Sequence, residues 1–392
     1  MPEHPTSDEL GFTRQPSLPE LAFVFLKLGT ISFGGPAAHI AMMENEFVRK
    51  RRWITESDFL DRLAAANLIP GPSSTEVAIF IGHSKCGWMG LVVVGCCFII
   101  PAALMVGMIA AIYVRFGALP QVAGILYAIK PAVIAIILQA LWGLARTATK
   151  SKTLAAIGVI SIVLSALGIA PLIVLAIAGI ASGAVVSIGQ RERGALFTVP
   201  SSGRLALLLG APAAVAIVPV SLLRLFLSFL KIGSVVFGSG YVLLAFLRSE
   251  FIHHLHWLTE KQLIDAVAVG QFTPGPVFTT ATFIGYLVAG IPGAVVATLG
   301  IFLPGFLLVA VSGPLVPRLR HSPMAGAILD GIVVGSLALM AVVACQLGWA
   351  AIIDWLTGLI FVASAVALFR FRLNSAWLVG GAALIGLVAK LK

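Results

Sequence analysis

The amino-acid sequence repeats itself at a separation of 204 residues, and this duplication constrains the fold more than any other feature. The shift pairs the Pro-Gly-Pro run at residues 70–72 with an identical run at residues 274–276. After one deletion the shift becomes 203, which pairs Pro101 with Pro304. We therefore expect two copies of one unit of about 190 residues. Further identities at the first separation include Lys27 with Lys231, Gly29 with Gly233, Phe33 with Phe237, Glu46 with Glu250, and Trp53 with Trp257.

Apolar runs of about 20 residues recur along both copies, and a helix needs this length to cross a bilayer. With 59% hydrophobic and 11% charged residues, the composition excludes a soluble globular domain and indicates an all-α polytopic membrane protein. The net charge of +10 does not indicate a nucleic-acid partner, because the basic residues lie in short loops between apolar runs, as the positive-inside rule predicts. The expected partner is the lipid bilayer.

The order of apolar and polar segments predicts the domain organisation and its topology. The first 20 residues are polar, with no apolar core after a basic start, and are expected to form a cytoplasmic tail rather than a signal peptide. If the extra apolar segment Leu205–Val220 crosses the membrane once, the second copy starts from the opposite side and the basic loops fall inside. The sequence therefore predicts two inverted-topology repeats. The expected boundaries are a tail at 1–20, a first repeat at 21–188, a linker with one extra transmembrane segment at 189–221, and a second repeat at 222–392.

Each repeat begins with an apolar segment that glycines interrupt, at Leu21–Met43 and at Leu222–Phe246. Such clusters predict a broken or re-entrant helix, which a bilayer tolerates only where the backbone lines a cavity enclosed by protein. The residues at these breaks are candidate substrate-binding residues, namely Gly34 and Gly35 in the first repeat and Gly238, Ser239 and Gly240 in the second.

Each Pro-Gly-Pro run is predicted to end one helix and start another, because proline removes a backbone donor and disfavours the α conformation in the residue before it. The free N–H groups of the new helix would point back at the break and form an anion site. Hydroxyl and amide side chains flank both runs, and these neutral donors suit a tetrahedral oxyanion. The alternative is a pair of structural kinks, since proline and glycine are common in membrane helices. The candidate binding residues are Asn67, Pro70, Gly71, Pro72, Ser73, Ser74 and Thr75, and in the second repeat Gln271, Pro274, Gly275, Pro276, Thr279 and Thr280.

Lys27 and Lys231 lie in apolar segments, one or two turns before the glycine breaks. A cation within a membrane segment is by default a functional candidate, so both lysines are expected to supply positive charge to the anion. The alternative is that their side chains reach a nearby interface.

Three carboxylates are candidates for proton coupling. Glu76 follows the first Pro-Gly-Pro run, and a carboxylate beside an anion site repels the substrate unless it is protonated. The alternative for Glu76 is a solvated or salt-bridged side chain. Asp61 and Asp265 occupy equivalent positions in the two copies, where they could couple protons or support the architecture.

The sequence does not predict an enzyme. It contains no P-loop, no dinucleotide fingerprint after a strand and no nucleophile elbow, so neither a cofactor nor catalytic residues are expected. The four cysteines lack zinc or redox spacing. The histidines His253, His254 and His256 lie in a short loop without further ligands, which favours interface residues over a metal site.

The combined pattern resembles the chromate ion transporter family in its long two-domain form, over nearly the whole chain from about residue 20. The residues that carry the resemblance are Phe33 to Gly35, Trp53, Glu56 and the run Asn67–Pro72, with their repetition at Phe237, Gly238, Trp257, Glu260 and 274–276.

The resemblance implies a bacterial inner-membrane protein that exports chromate, with halves of opposite orientation and the proton-motive force as driver. It also implies that sulfate, which is isosteric with chromate, competes or is the transported ion in some members. The second copy departs from the first, since it has Thr280 in place of Glu76. We therefore expect the two halves to contribute unequally to the site.

Three alternatives stay open at this point. The first is uptake of sulfate or another oxyanion, and the second is a passive anion channel. The third is a membrane-embedded chromate reductase, which would need a flavin or nicotinamide site. The oligomeric state is also open, with a homodimer as one alternative to a monomer.

Overall fold

The structure is a computed structural model that describes residues 15–33, 35–116, 120–191, 220–237, 242–312, 322–371, 373 and 375–390. These described residues form helices and no strands, which confirms the all-α prediction. The helices of the first repeat are α1 (Leu18–Ile31), α2 (Gly35–Glu44), α3 (Glu56–Ala66), α4 (Ser73–Phe116), α5 (Pro120–Ala148), α6 (Lys152–Ala166) and α7 (Pro171–Arg191). Their counterparts are α8 (Leu222–Val235), α9 (Leu243–Leu247), α10 (Glu260–Phe272), α11 (Thr280–Ser312), α12 (Pro323–Ala351), α13 (Trp355–Phe371) and α14 (Ser375–Lys390).

Equivalent positions adopt the same local structure in the two repeats. Thr55 caps the start of α3, because its side-chain oxygen accepts a hydrogen bond from the N–H of Asp58 at 3.2 Å. Thr259 and Gln262 form a complete capping box at the start of α10. Both helix starts are therefore encoded locally. The π-helical turns Asn45–Lys50 and Arg248–His254 extend α2 and α9, and a 3-10 turn, Val277–Thr279, precedes α11.

Helices α4 and α11 each fold back on themselves soon after they begin. The turns lie at Gly87 and Gly290, whose φ angles of 58° and 61° are left-handed and favour glycine. Beside the first turn, Gly82 and Gly90 pack so closely that a Cβ on either would collide with the carbonyl oxygen of the other. Two glycines of α11 repeat this contact. Each element is therefore a helical hairpin, with a short half-helix from the Pro-Gly-Pro run to the turn and a return helix of roughly 40 Å in α4.

The return helices of α4 and α11 run antiparallel. Gly95 of α4 packs against Phe306 of α11, whereas Gly107, further along α4, approaches Thr282. The hydroxyls of Thr282 and Thr298 are hydrogen-bonded at 2.7 Å, and Thr298 lies nearer the start of the return helix of α11 than Phe306 does. A step forward along α4 from Gly95 to Gly107 is therefore a step backward along the return helix of α11. Because α4 and α11 are equivalent elements, the two-fold axis that relates them is perpendicular to their length. The predicted inverted-topology repeats are confirmed.

The last helices of each repeat pack against the other repeat. Helices α6 and α7 lie on α12, and reciprocally α13 and α14 lie on α5. Small residues allow these backbones to approach, as Gly331 does against Ala178 and Gly386 against Gly124. The two repeats are therefore intertwined and share a hydrophobic core.

The chain is a multi-pass membrane protein. Five described helices, α4, α5, α7, α11 and α12, are long and apolar enough to cross a membrane, and α6, α13 and α14 are shorter apolar helices. The extra segment Leu205–Val220 and the tail at residues 1–20 lie largely outside the described residues. Their predicted topology therefore stays a prediction.

Candidate functional site

Both Pro-Gly-Pro runs interrupt a helix and start a new one, as the sequence predicts. In the first run, α3 ends at Ala66, α4 begins at Ser73, and Gly71 between them has a φ angle of 137°. Gly275 in the second run has a φ angle of 94°. Residues that have a side chain rarely adopt either backbone conformation, so glycine is required at the centre of each run.

Reciprocal hydrogen bonds hold each run against the broken first helix of the other repeat. The N–H of Gly71 donates to the carbonyl of Val236, which caps α8, at 2.7 Å. The N–H of Gly275 donates to the carbonyl of Ser32, which caps α1, at 2.8 Å. These two bonds are equivalent under the 204-residue shift. Each bond therefore joins the end of the first helix of one repeat to the Pro-Gly-Pro run of the other.

The residues after the first run place unpaired polar groups in the protein interior. Glu76 is fully buried, and neither of its carboxyl oxygens has a hydrogen-bond partner in the described part of the chain. The hydroxyl of Thr75 is also buried without such a partner among the described residues, as is that of Ser32 at the end of α1. Unpaired buried polar groups are rare in folded proteins, so this cluster is a candidate binding site.

The second run differs in this respect. Thr279 and Thr280 are buried, but their hydroxyls donate to the carbonyls of Pro276 and Val277 in their own turn. They therefore leave fewer donors for a ligand than the first run does. The side-chain hydrogen bonds around the two runs therefore differ, and an unequal contribution of the two halves to a site stays a prediction.

The carboxyl group of Glu76 points back at the break. A Cβ added at Gly71 would collide with Oε1 of Glu76. The same oxygen lies 3.8 Å from the position that a Cβ would take at Gly305 in the return helix of α11. Glu76 is therefore enclosed between the first Pro-Gly-Pro run and the second repeat.

His39 was not predicted from the sequence, yet it connects the two breaks. It is 1% exposed, and its Nε2 lies 3.1 Å from the carbonyl oxygen of Ser32, which also accepts the N–H of Gly275. Its Nδ1 lies 3.3 Å from the hydroxyl of Ser74 in the first turn of α4. The equivalent of His39 in the second repeat is Leu243. A polar residue in one copy opposite an apolar residue in the other is the signal that could have found it.

The two lysines do not face the Pro-Gly-Pro runs. Lys231 is 49% exposed, and its amino group pairs with the Glu250 carboxylate at 2.8 Å. Lys27 is exposed and lines a cleft of about 110 Å³ together with Glu46 and Lys50. Both lysines therefore lie beside a carboxylate from the turn that follows the broken helix.

The two equivalent aspartates have different surroundings. Asp265 is fully buried and lies 2.9 Å from the amino group of Lys130, whereas Asp61 is exposed.

The two equivalent amide residues also have different surroundings. Asn67 is exposed at the end of α3, whereas the buried Nε2 of Gln271 has no hydrogen-bond partner in the described structure.

Among the glycine-break residues, Gly35 begins α2 with a φ angle of 78°. The predicted binding residues Gly34, Gly238, Ser239 and Gly240 lie outside the described residues.

The described ranges contain no group of histidine, cysteine and acidic side chains that could hold a metal ion. His253 and His254 are exposed at the end of the π-helical turn after α9. A cleft of about 550 Å³ is apolar and lined by α5, α6, α12 and α13 rather than by the break residues. The residues from Ser73 to Glu76 are buried, so the breaks are closed over by protein in this conformation.

The sequence matches the family model described as "Chromate transporter" over residues 19–183 and again over residues 223–387. The chain is 34% identical over 384 residues to the chromate transport protein of Cupriavidus metallidurans, and the matched region covers 95% of this chain and 93% of that protein. It is 32% identical to the probable chromate transport protein of Synechococcus elongatus, over 89% of this chain and 90% of that protein. It is 30% identical to the chromate transport protein of Pseudomonas aeruginosa, over 83% of this chain and 79% of that protein.

No solved structure matches the chain. The two family matches coincide with the two repeats that the helices form, and the relatives cover nearly the full length. The chain therefore belongs to the chromate transporter family.

Proposed function

We propose that the protein is a secondary transporter that exports chromate across the bacterial inner membrane, driven by the proton-motive force, and so gives resistance to chromate. The dianion binds between the repeats, at the backbone N–H groups and hydroxyls that follow Gly71 and Gly275. The observation that supports this proposal is the reciprocal pair of hydrogen bonds between the repeats, together with the buried His39, which contacts both the Ser32 carbonyl at the second run and the Ser74 hydroxyl after the first. Anions bind readily at helix N-termini, and paired broken helices are a recurrent form of transporter site.

Electrostatics favours export over uptake for such a substrate. The cytoplasm is negative, and moving one charge across the membrane potential is worth about 2.3 kcal/mol per 100 mV. A dianion therefore gains roughly 4.6 kcal/mol per 100 mV when it leaves the cell. Uptake of the same ion would need several accompanying protons to overcome this term.

Glu76 is the proposed proton carrier. A charged carboxylate without a partner is costly to bury, and its charge would repel a dianion at the adjacent break. A proton on Glu76 removes both costs. A dianion that leaves with one proton still carries one net negative charge outward, so the membrane potential continues to drive export.

The experiment is chromate flux in everted vesicles, whose interior is positive when they are energised. We expect chromate to accumulate inside, and we expect valinomycin with potassium to stop accumulation by collapsing the potential. Nigericin, which collapses only the pH gradient, is expected to leave accumulation largely intact. No accumulation in energised vesicles that contain the wild-type protein would contradict export.

Glu76→Gln tests the proton role. The variant keeps the shape of the side chain but cannot release a proton, so we expect chromate flux without the accompanying proton movement that a pH-sensitive dye reports. Unchanged proton movement in this variant would show that Glu76 is not the carrier.

The same vesicles separate the alternatives. An oxyanion importer would move labelled sulfate in the opposite direction and require an imposed pH gradient. A passive channel would show neither proton movement nor exchange of labelled for unlabelled chromate against a gradient. Export coupled to proton movement is the result that the proposed function predicts.

A further inference from the structure

A second ionisable cluster lies in the interior of the helix bundle, and the proposed anion site at the breaks does not use it. The amino group of Lys130, on α5, lies 2.9 Å from Oδ1 of Asp265, on α10. The hydroxyl of Tyr113, at the far end of α4, donates to Oδ2 of Asp265 at 2.9 Å. Asp265 is fully buried and the Lys130 side chain is 13% exposed. Three helices from both repeats therefore converge on one carboxylate.

The cluster is present on one side of the pseudo-two-fold axis only. The equivalent of Lys130 is Val333, and the equivalent of Asp265 is the exposed Asp61. A purely architectural ion pair would be expected at both equivalent interfaces of a duplicated fold. Its restriction to one interface indicates a specialised role.

The geometry of the cluster is that of an anion site with an internal occupant. The Tyr113 hydroxyl donates to one carboxylate oxygen and the Lys130 ammonium faces the other, so the two oxygens lie where two oxygens of an oxyanion would lie. The contact of Lys130 with Oδ1 is an ion pair, and this oxygen has no hydrogen-bond partner among the described residues. A mobile anion could therefore replace the carboxylate.

The position of the cluster fits a subsite next to the breaks. Asp265 lies on α10, which ends at the second Pro-Gly-Pro run, and the ring of Tyr113 packs on Phe283 of α11 at 5.3 Å between centroids. Helices α10 and α11 flank that run directly. An anion on Lys130 would therefore lie roughly two helical turns, about 10 Å, from the second break.

We propose that Lys130 and Tyr113 form an oxyanion subsite that the Asp265 carboxylate occupies in the substrate-free protein. This inference rests on the proposed function, because it assumes that a small oxyanion reaches the helix bundle. When the oxyanion binds, its oxygens take the donors of Lys130 and Tyr113, and Asp265 takes up one proton and leaves as a neutral acid. The proton is released when the anion moves on and the ion pair forms again.

The proton limits the net charge of the cluster: with a dianion on Lys130, the cluster carries one negative charge if Asp265 is neutral and two if Asp265 is ionised. A buried lysine or aspartate without a partner is strongly unfavourable, so Lys130 must always face one anion and a displaced Asp265 must be neutral. Lys130 and Tyr113 are the described titratable groups in contact with Asp265. On the neighbouring elements, Asp330 of α12 pairs with Lys150, and Arg248 pairs with Glu260 at the start of α10.

The test is equilibrium dialysis of the purified full-length protein against chromate and, separately, sulfate. Asp265→Asn removes the internal occupant and is expected to bind chromate about tenfold more tightly. Lys130→Gln removes the charge and is expected to bind about tenfold more weakly or not at all, and Tyr113→Phe is expected to bind several-fold more weakly. Lys130→Arg should retain binding. Lys150→Gln is the matched control, because Lys150 also pairs with an aspartate of the other repeat, at 2.8 Å, but is 61% exposed.

The double variant Lys130→Gln with Asp265→Asn separates a binding role from a structural one. Both charges are removed together, so the fold keeps no unpaired buried charge even if a single variant fails to fold. We expect this variant to be monodisperse and to bind chromate weakly. Wild-type affinity in the double variant would overturn the subsite and leave a structural ion pair.

The remaining outcomes distinguish the subsite from the proposed function. Wild-type protein that binds chromate, together with Lys130→Gln that binds equally well, would overturn the subsite alone. Wild-type protein that binds neither chromate nor sulfate would overturn the proposed function, and the subsite with it.

Discussion

At the scale of single residues, the two breaks share backbone features but differ in their side chains. Gly71 and Gly275 share a positive φ and a hydrogen bond to the opposite repeat. The side chains around the first run are polar, whereas the second repeat has Leu243 in place of His39 and Thr280 in place of Glu76. The residues that the two repeats share form the breaks. The residues that differ between the repeats supply groups that can bind an ion or carry a proton.

Gly71→Ala and Gly275→Ala are expected to abolish chromate resistance. A Cβ at Gly71 would collide with Glu76, and one at Gly275 would lie 2.5 Å from Cβ of Ala102, while the backbone strain adds roughly 1–3 kcal/mol. Growth on chromate, with membrane levels measured by immunoblot, checks this. Gly168→Ala is the matched control, because Gly168 also has a positive φ, 81°, but has open space around it. Wild-type resistance in both break variants would refute the site.

His39→Leu gives the first repeat the residue that the second repeat has. The substitution leaves the Ser74 hydroxyl and the Ser32 carbonyl without the imidazole, which we expect to cost about 1–3 kcal/mol of stability. We also expect chromate transport to fall at least tenfold. Thermal unfolding and vesicle flux measure the two effects. A variant that is destabilised but transports normally would assign His39 to packing alone.

At the scale of elements, the helical hairpins set the depth of the breaks. The half-helix of α4 runs from Ser73 to the turn at Gly87 and packs against its own return helix through Gly82 and Gly90. Packing of this kind needs small residues, because helices in a membrane gain stability from close backbone contact rather than from the hydrophobic effect. The break is therefore held inside the protein by contacts within its own hairpin.

Gly82→Leu is expected to open the hairpin. The added side chain would meet the carbonyl of Gly90 and the side chain of Val94, so we expect a loss of about 3 kcal/mol or more and a strongly reduced membrane level. Gly143→Ala is the control, since it also adds a Cβ to a helix but meets nothing within 4 Å. Equal levels of the two variants in a fluorescence-tagged expression assay would contradict the hairpin contact.

At the scale of the whole molecule, the sequence predicts local structure better than it predicts tertiary contacts. The duplication, the helix starts at Thr55 and Thr259 and the two Pro-Gly-Pro breaks depend on nearby residues, and each prediction is confirmed. The meeting of Asp265 with Lys130 depends on helices far apart in sequence, and no local pattern predicts it. The packing of the last helices of each repeat against the other repeat also depends on long-range contacts, and no local pattern predicts it.

The packing of the last helices of each repeat against the other repeat makes the two halves mutually dependent. Helices α6 and α7 need α12 as a packing partner, and α13 and α14 need α5. We therefore expect halves split at residue 205 to be degraded when expressed alone and to restore chromate resistance when expressed together. Stable accumulation of either half by itself would contradict the intertwined packing.

The most direct measurement of the central claim is a cryo-electron microscopy map of the protein in lipid nanodiscs with chromate bound. The account predicts density for a tetrahedral anion between the repeats, within hydrogen-bond distance of the backbone N–H groups that follow Gly71 and Gly275. Density at Lys27 or Lys231 on the exposed face, with the two breaks empty, would contradict it.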